Sequence, residues 1–345
     1  MRVSQLLDIK TIKVREINIK QSEIKENFLR VKIKASGICG SDMHYFNDGG
    51  LGSFKINFPV TLGHEPSGIV IDTKSSRFSK NTRIAIEPNL PCLFYNNDKF
   101  CEPCGKGHFN LCPDSKFLGT VDFPGSFQDE ILIHSSQAIE IDEKTSFEEA
   151  TLLEPFSVAL HAFKKCNFES GSKVAILGSG PIGICLALIA NLSGASEILM
   201  IDKLDYRLDF IKDLLNCKII NEKEFMQKTK EFKSKYHYVF DAAGKKDTFL
   251  NSLNLAFSSG KVIVVGIPTY DFLEYNPHVA RIKELSIINC RRSNNLLHIS
   301  YDLFKKYNLP FSKIISHNYD ISKIQDAFML NSNYENNVLK TVISF

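Results

Sequence analysis

The sequence predicts an α/β protein, in which a β-rich region precedes a doubly wound parallel sheet, from two changes of pattern and one motif. Up to about residue 135, short runs of alternating apolar and polar residues are separated by Gly, Pro and Asp, which is typical of strands joined by irregular loops. From Ser172 onward, apolar runs alternate with helix-sized segments, which predicts βαβ units. The first of these runs leads into a glycine-rich turn of the dinucleotide-binding type.

The individual elements follow from the same patterns. In the first region we expect strands in five short segments, namely 9–17, 28–34, 68–71, 83–86 and 130–133. A helix is expected over 146–153, where acidic residues precede an apolar run. In the second region the expected strands are 173–177, 197–202, 236–241, 261–266 and 285–290. After about residue 291 the alternation stops, and 338–345 predicts a closing strand.

Composition excludes several classes of protein. The 345 residues are 43% hydrophobic and 23% charged, as in an ordinary globular protein of about two domains. The formal charge of +3 is too small to favour binding to nucleic acid or to a membrane surface. We see neither an apolar run of the ~20 residues that a membrane span needs nor the apolar core of a signal peptide. Nine cysteines, an odd number with several at metal-like spacings, favour a reducing cytoplasmic compartment and zinc over disulfides.

The glycine-rich turn fits the pattern G-x-G-x-x-G through Gly178, Gly180 and Gly183. It follows an apolar strand and opens a helical run, which is the context that a dinucleotide site requires. Asp202 ends the next strand, nineteen residues after Gly183, where a carboxylate accepts hydrogen bonds from the ribose hydroxyls. Because a carboxylate repels a 2′-phosphate, we expect NAD in preference to NADP, although Arg207 lies nearby.

A first set of metal-binding side chains stands in G-I-C-G-S-D-M-H-Y and, about twenty residues later, in G-H-E. Cys39, His64 and Glu65 offer a thiolate, an imidazole and a carboxylate, a mixture that suits zinc. Three protein ligands leave one coordination position open, as catalytic zinc needs. Ser41 and His44 lie close enough in sequence to form a proton path outward.

A second set occupies a loop rich in Pro and Gly. Cys101, Cys104 and Cys112 have the spacing C-x2-C-x7-C and supply most of a tetrahedral structural zinc site. The fourth ligand is open: Asp98 continues the three-residue step and is slightly preferred on spacing, and Cys92 is the alternative.

In combination these motifs resemble the zinc-dependent medium-chain alcohol dehydrogenase superfamily, over nearly the whole chain. The segments 37–46 and 60–68 are similar to its catalytic-zinc segments. The sequence E-P-F-S-V-A-L-H at 154–161 and the phrase I-E-P-N-L-P-C at 86–92 are similar to the polyol branch, that of the sorbitol (L-iditol) and xylitol dehydrogenases. The resemblance therefore implies oxidation of a secondary hydroxyl of a polyol to a ketose with zinc and NAD.

The fold implied by this resemblance is a GroES-like catalytic domain, built from both ends of the chain, with an inserted Rossmann domain. We expect the catalytic domain over 1–155, the NAD-binding domain over 156–290, and the return to the catalytic domain over 291–345.

The resemblance also implies residue roles. Cys39, His64 and Glu65 match the catalytic zinc ligands, and Glu154 matches the glutamate that either completes the ligand shell or acts as general base through water. Substrate contacts are implied for three positions, which are Tyr45, Glu154 and Arg292. Cofactor contacts are implied at the motif glycines Gly178, Gly180 and Gly183 and at further positions, which are Ile182, Asp202, Arg207, Val265, Gly266 and Arg292.

Alternatives remain open at the substrate. Polyol dehydrogenases often carry Tyr after the arginine that corresponds to Arg292, and here the next residue is Ser293. An L-idonate-type sugar-acid dehydrogenase is therefore a competitor, as is L-threonine dehydrogenase, and a zinc-independent quinone reductase is a weaker one. The alternative of a different class is a non-catalytic NAD-binding structural protein. The family also implies a homo-oligomer, a dimer or tetramer, with a small-molecule substrate as its partner.

Overall fold

A computed structural model describes residues 1–18, 23–96 and 99–345. It divides into two compact units, Met1–Ser157 with Ser293–Phe345 (unit 1) and Val158–Arg292 (unit 2). The expected boundaries, after 155 and after 290, each differ from these by two residues. Within the described ranges, no helix has both the length and the apolarity needed to cross a bilayer.

Unit 1 begins with short strands and long loops. Its strands up to residue 140 are β1 (Arg2–Asp8), β2 (Thr11–Glu16), β3 (Phe28–Gly37), β4 (Gly50–Leu51), β5 (Phe54–Lys55), β6 (Glu65–Thr73), β7 (Arg83–Ile86), β8 (Asn89–Leu90), β9 (Lys116–Phe117), β10 (Glu130–His134) and β11 (Ala138–Glu140). Its helices in this part are α1 (Gly40–Asp48), α2 (Glu102–Gly105) and α3 (Phe147–Thr151), and α4 (Leu153–Cys166) runs on into unit 2. Short 3-10 helices lie at Cys92–Phe94, Phe109–Leu111 and Ser135–Gln137.

Unit 2 alternates strands and helices, as the sequence predicts. Its strands are β12 (Lys173–Leu177), β13 (Glu197–Asp202), β14 (Lys218–Asn221), β15 (Tyr236–Asp241), β16 (Ala256–Val264) and β17 (Ser286–Asn289). Its helices are α5 (Pro181–Leu192), α6 (Asp205–Leu214), α7 (Glu222–Gln227), α8 (Thr229–Phe232), α9 (Lys246–Leu255) and α10 (Pro277–Ile282).

The chain then returns to unit 1. The returning elements are α11 (Leu297–Tyr307), α12 (Phe311–Ile314), β18 (Ile315–Asp320), α13 (Ile324–Asn333) and β19 (Lys340–Ser344), with 3-10 helices at Ile321–Lys323 and Glu335–Asn337.

The six strands of unit 2 form one parallel sheet in the order β14-β13-β12-β15-β16-β17. The strand order reverses beside β12, the strand that leads into the glycine-rich turn, and such a switch point is where ligands bind in sheets of this kind. The predicted α/β class is therefore confirmed. The short strand β14 was not among the expected elements, because four residues that include a Lys and an Asn carry little periodicity.

The main sheet of unit 1 joins strands from both ends of the chain, in the order β11-β7-β6-β3-β19-β18. At its centre, Leu29, Val31 and Ile33 of β3 alternate toward the core and are fully buried. Strand β19 runs antiparallel to β3 and pairs Val342 with Gly37. The last strand of the chain therefore lies directly beside the segment that carries Cys39.

Candidate metal centres and dinucleotide site

Cys39 stands at the start of helix α1, just after strand β3. Its backbone N–H donates to Asp42 Oδ2 at 3.0 Å, the reciprocal contact of a capping box. The preceding residue, Ile38, donates its N–H to Thr341 O of β19 at 2.9 Å. These contacts hold the backbone at Cys39 from both sides.

His64 and Glu65 lead into strand β6 after a turn at Gly63. The φ of 97° at Gly63 is a left-handed conformation, and a Cβ there would lie only 2.8 Å from Ser126 Oγ. Asp42 spans this turn, since its Oδ1 accepts from the N–H of Gly63 at 3.2 Å and lies 3.5 Å from His64 Nδ1. A carboxylate against the far nitrogen of an imidazole is the usual support for a metal-binding histidine.

The ligand atoms of Cys39, His64 and Glu65 all lie within 4.8 Å of one another, and His64 and Glu65 are buried. Glu65 Oε1 is buried and has no hydrogen-bond partner among the described residues. A carboxylate oxygen left in that state is costly unless a cation binds it. The three donors therefore fit a zinc ion with an open fourth position.

Lys340 is a charged residue at this centre that the motifs did not identify. Its side chain is 1% exposed, and Nζ forms an ion pair with Glu65 Oε2 and donates to Ile38 O at 2.9 Å. The one signal in the sequence is a single lysine within the mainly apolar run V-L-K-T-V-I, because a lysine is almost never fully buried unless it is paired.

The electrostatic environment of this centre raises the pKa of two of its groups, His64 and Lys340. Burial lowers the pKa of His64, but the charges of Asp42 and Cys39 outweigh it and raise this pKa well above its usual value. Burial likewise lowers the pKa of Lys340, and the charges of Glu65, Cys39 and Glu154 raise it further than burial lowers it. Both shifts report a cluster of negative charge, which is what a cation site needs.

Glu154 lies in the first turn of α4 and is 6% exposed. It is outside the group of three donors, although its charge raises the pKa of Lys340. Its position is therefore next to the centre, and a role as a fourth ligand or as a base beside it stays a prediction.

Ser41 and His44, which are expected to form a proton path, lie in different surroundings. Ser41 Oγ lies 3.4 Å from His64 Nε2, beside the donors. His44 is 27% exposed, and its Nδ1 lies 3.6 Å from Asp48 Oδ2 one turn along α1. Tyr45, the expected substrate contact, packs partly against the apolar cluster around Phe46. These three roles stay predictions.

The second cluster brings four thiols together. The sulfurs of Cys92, Cys101, Cys104 and Cys112 all lie within 4.8 Å of one another, and those of Cys92 and Cys104 are 3.7 Å apart. Tetrahedral zinc with Zn–S bonds of about 2.3 Å needs sulfurs about 3.8 Å apart. The four thiols therefore fit a closed structural site. Asp98, which spacing slightly favoured, lies outside the described residues, and the geometry supports the alternative, Cys92.

Asn294 holds the loop of the four thiols from the returning chain, and sequence reasoning missed it. Its Oδ1 accepts from the N–H of Phe109 at 2.8 Å, and its Nδ2 donates to Gly107 O at 2.9 Å. No motif could have indicated this contact, because the two segments are 185 residues apart in sequence.

The glycine-rich turn of unit 2 has the geometry that its motif predicts. Gly178 has a φ of 101°, and a Cβ on Gly183 would overlap Gly178 O. A Cβ on Gly180 would meet Arg207 Nη1 at 3.4 Å and no other atom closer than 4 Å, so the backbone there is open to a ligand. Helix α5 begins immediately afterwards with Pro181, and its N-terminus provides unpaired N–H groups for a pyrophosphate.

Asp202 fixes this turn from the end of β13. Its Oδ2 accepts from the N–H of Ser179 at 2.6 Å and its Oδ1 from that of Leu204 at 2.9 Å. Each oxygen keeps a lone pair for a ribose hydroxyl.

The remaining expected cofactor positions lie at the starts of two helices and just after strand β16. Ile182 is in the first turn of α5 and Arg207 in the first turn of α6. The N–H groups of Val265 and Gly266 both donate to Asp241 O, at 2.9 and 2.8 Å, where β16 has just ended.

Arg292 is the last residue of unit 2 and has a φ of 55°, a sharp turn for a residue with a side chain. Ser293, which replaces the tyrosine of many polyol dehydrogenases, is 2% exposed, and its Oγ accepts from the N–H of Leu296 at 3.3 Å. Its hydroxyl is thus used within the loop.

Comparison with known families gives two matches. Residues 25–143 match the alcohol dehydrogenase GroES-like domain, and residues 181–306 match the zinc-binding dehydrogenase family. The first match contains both thiol-bearing clusters, and the second begins within the glycine-rich turn.

Relatives resemble the chain over almost its whole length. It is 30% identical to L-idonate 5-dehydrogenase of Vitis vinifera over 94% of this chain and 89% of that protein. It is 28% identical to sorbitol dehydrogenase of Bacillus subtilis over 99% of this chain and 97% of that protein. Among solved structures, L-idonate 5-dehydrogenase of Escherichia coli K-12 superposes with a TM-score of 0.90 at 25% identity, over 100% of this chain and 98% of that one.

Donor geometry, the dinucleotide turn and these matches agree on one conclusion. The cofactors of the family, zinc and NAD(P), are the two for which the chain has fitting sites. The chain belongs to the zinc-dependent medium-chain alcohol dehydrogenase superfamily, in its polyol dehydrogenase branch.

Proposed function

We propose that this protein oxidises one secondary hydroxyl of a polyol such as sorbitol, L-iditol or xylitol to a ketone, reversibly, with NAD as hydride acceptor. The observation that carries the proposal is the group of three donors formed by Cys39, His64 and Glu65, of which the last two are buried, in a chain that also has a dinucleotide turn. A mixed donor set with one position open is suited to binding a substrate oxygen, whereas a closed set is not.

Zinc held by these three residues would supply Lewis acidity, which would lower the pKa of a substrate hydroxyl toward neutral pH. Asp42 fixes the imidazole of His64 through Nδ1, at 3.5 Å. Ser41, whose Oγ lies 3.4 Å from His64 Nε2, is the first candidate for leading the hydroxyl proton outward, and His44 is the second. Glu154 is the candidate general base, and Tyr45 and Arg292 are the candidate substrate contacts.

NAD is the proposed form of the cofactor because Asp202 carries a negative charge at the end of β13, where the 2′-phosphate of NADP would be repelled. Asp202→Ser should therefore lower kcat/KM with NAD and raise it with NADP, since Arg207 nearby can then pair with the phosphate. A variant that discriminates between the two cofactors as the native protein does would contradict this assignment.

A sugar acid is the second candidate substrate, with one observation in its favour. The tyrosine of many polyol dehydrogenases is replaced by Ser293, whose hydroxyl is bonded to Leu296. The position after Arg292 therefore carries no aromatic side chain in this protein. The relatives include an L-idonate 5-dehydrogenase, so L-idonate is the sugar acid to test.

The deciding experiment is NAD reduction by the purified protein with sorbitol, xylitol, L-iditol, L-idonate, L-threonine and simple secondary alcohols, with metal analysis of the same sample. We expect about two zinc ions per chain and the highest kcat/KM with a polyol. Protein that contains zinc, binds NAD and turns over none of these compounds would favour the non-catalytic NAD-binding class instead.

We also propose a homo-oligomer located in the cytoplasm. Large apolar side chains of unit 2 are exposed, with Phe272 at 85% and Ile282 at 72%, and apolar surface of this kind supports self-association. In the part of the chain that the structure describes, none of the nine cysteines is joined in a disulfide, which suits a reducing compartment. Sedimentation of the purified protein tests the first proposal, and cell fractionation tests the second.

A further inference from the structure

Lys340 is buried beside the candidate catalytic metal centre, and no zinc-binding motif accounts for it. It is 1% exposed, its Nζ pairs with Glu65 Oε2, and Nζ also donates to Ile38 O, at the residue before Cys39. The pair joins residues 275 positions apart in sequence. A buried ion pair of this kind often adds little stability, so its presence calls for another explanation.

Space around the pair is limited. A Cβ on Gly37 would overlap Glu65 Oε2 and lie 2.8 Å from Lys340 Cε. Glu65 therefore has little freedom to turn, and while Lys340 holds Oε2 the other oxygen, Oε1, is the one without a partner. The lysine thus leaves Glu65 a single oxygen for the metal.

The negative charges around Lys340 come from three elements. Glu65 lies at the start of β6, Cys39 caps α1, and Glu154 is in the first turn of α4. A thiolate and two carboxylates exceed the charge of a divalent ion by one, and His64 is neutral when it binds a metal. Asp42 adds a further negative charge on the side of His64 remote from Ser41. Lys340, on β19, offsets one of these excess charges.

We propose that Lys340 is a positioning residue of the catalytic metal centre, which holds Glu65 to one-oxygen ligation and keeps the zinc electron-poor by offsetting one ligand charge. The inference rests on the proposed dehydrogenase function. Lys340 would then have two opposing effects. It would make the zinc a stronger acid toward the substrate hydroxyl, and it would make the zinc less tightly bound.

The test compares four proteins: the native chain, Lys340→Met, Glu65→Gln, and the variant with both changes. Methionine keeps an unbranched stem and removes the charge. The pH profile of kcat has an acidic limb, along which kcat rises with pH. In Lys340→Met the pH of half-maximal kcat on this limb should rise by about 1 unit, so that kcat at a fixed pH on the limb falls about tenfold. Release of zinc to a chelator, measured without substrate, should become at least about threefold slower.

Glu65→Gln should shift the same limb in the opposite direction and release zinc faster. The double variant should return the limb toward the native value. Comparing it with Glu65→Gln isolates the charge of Lys340 with no buried ion pair to break, so the comparison holds even where Lys340→Met alone does not fold. The proposal would be overturned if the pH of half-maximal kcat on the acidic side were no higher in the double variant than in Glu65→Gln. Faster zinc release from Lys340→Met would overturn it as well.

Lys283→Met is the matched control. Lys283 is also buried, at 8% exposure, but its Nζ donates to the carbonyl oxygens of Leu253, Asn254 and Ala256 at 2.9–3.0 Å and not to a metal ligand. Its loss should lower the melting temperature and leave the acidic limb and zinc release unchanged. Failure of the native chain to oxidise any substrate would end the proposed function, while the zinc-release comparison would still decide the role of Lys340.

Discussion

The two clusters of metal-binding side chains in unit 1 differ in the way that separates a catalytic site from a structural one. The cluster of four cysteines is uniform and closed, with two of its sulfurs 3.7 Å apart, so a tetrahedral ion has no position left. The cluster of Cys39, His64 and Glu65 has three unlike donors, a carboxylate oxygen without a partner and a buried lysine beside it. The same metal would hold the chain together in one cluster and act on a substrate in the other.

The clusters also differ in how the fold supports them. The four thiols come from one loop of about twenty residues, clamped by Asn294. The other cluster depends on the end of β3, the start of β19, the start of α1 and the turn at Gly63. A catalytic site therefore depends on the whole unit, whereas the structural site depends mainly on a local loop.

The largest effect should come from Cys39→Ser. Loss of the thiolate removes a ligand from the open site, so kcat/KM for NAD reduction should fall by more than about 100-fold, and zinc content should fall by about one ion per chain. Circular dichroism and melting temperature should stay near native values. Cys217→Ser, at a half-buried thiol outside both clusters, is the control, and native turnover in Cys39→Ser would contradict the assignment of the catalytic zinc.

Removing a thiol from the closed site should act on stability first. Cys104→Ser and Cys92→Ser should each lower the melting temperature by about 5 °C or more, because an unfilled site leaves buried thiols uncompensated. Asp98→Ala should leave both melting temperature and zinc content unchanged if Cys92 is the fourth ligand. The reverse result, with Asp98→Ala losing zinc and Cys92→Ser retaining it, would restore the ligand that spacing favoured.

A smaller effect on the open site should follow from Gly37→Ala. The added methyl group would displace Glu65 and Lys340, so kcat should fall about tenfold while the four-thiol site keeps its zinc. Gly40→Ala is the control for zinc content and melting temperature, because a Cβ at Gly40 would meet no atom within 4 Å. Equal zinc retention and kcat in native and Gly37→Ala protein would show that Glu65 has more room than the structure indicates.

The smallest effect concerns a thiol in neither cluster. Burial raises the pKa of Cys166 to about 12, whereas the same thiol in the unfolded chain ionises near pH 8.5. Its contribution to stability is therefore complete below pH 8.5 and is lost as the pH rises from there toward 12. The free energy of unfolding of Cys166→Ala should fall less steeply than that of the native chain between pH 8.5 and 10.5, and parallel slopes would contradict this prediction.

Some features could be predicted from the sequence because their cause is local. The strands β12, β13 and β15 lie at the expected residues, since buried parallel strands appear as continuous apolar runs. Strand β16 starts five residues earlier than expected, at Ala256, because the polar segment after Phe257 interrupts the pattern and the pairing shifts register between Tyr236 and Tyr238.

The dinucleotide turn could be predicted for a similar reason. Its glycines are required by the local path of the backbone, as the φ of Gly178 and the contact between Gly183 and Gly178 O make plain. The zinc-type donors Cys39, His64 and Glu65 could be listed from short motifs, and the three do come together.

By itself, the sequence determined the α/β class, the dinucleotide motif and the types of metal-binding residue, because each depends on neighbours within about twenty residues. Tertiary structure alone decided which residues complete each centre. Cys92 joins the other thiols across eight intervening residues, whose path the spacing does not specify. Asn294 reaches the loop from 185 residues away, and Lys340 reaches Glu65 from 275. A periodic pattern predicts which side of an element is buried, but not which distant strand packs against that side.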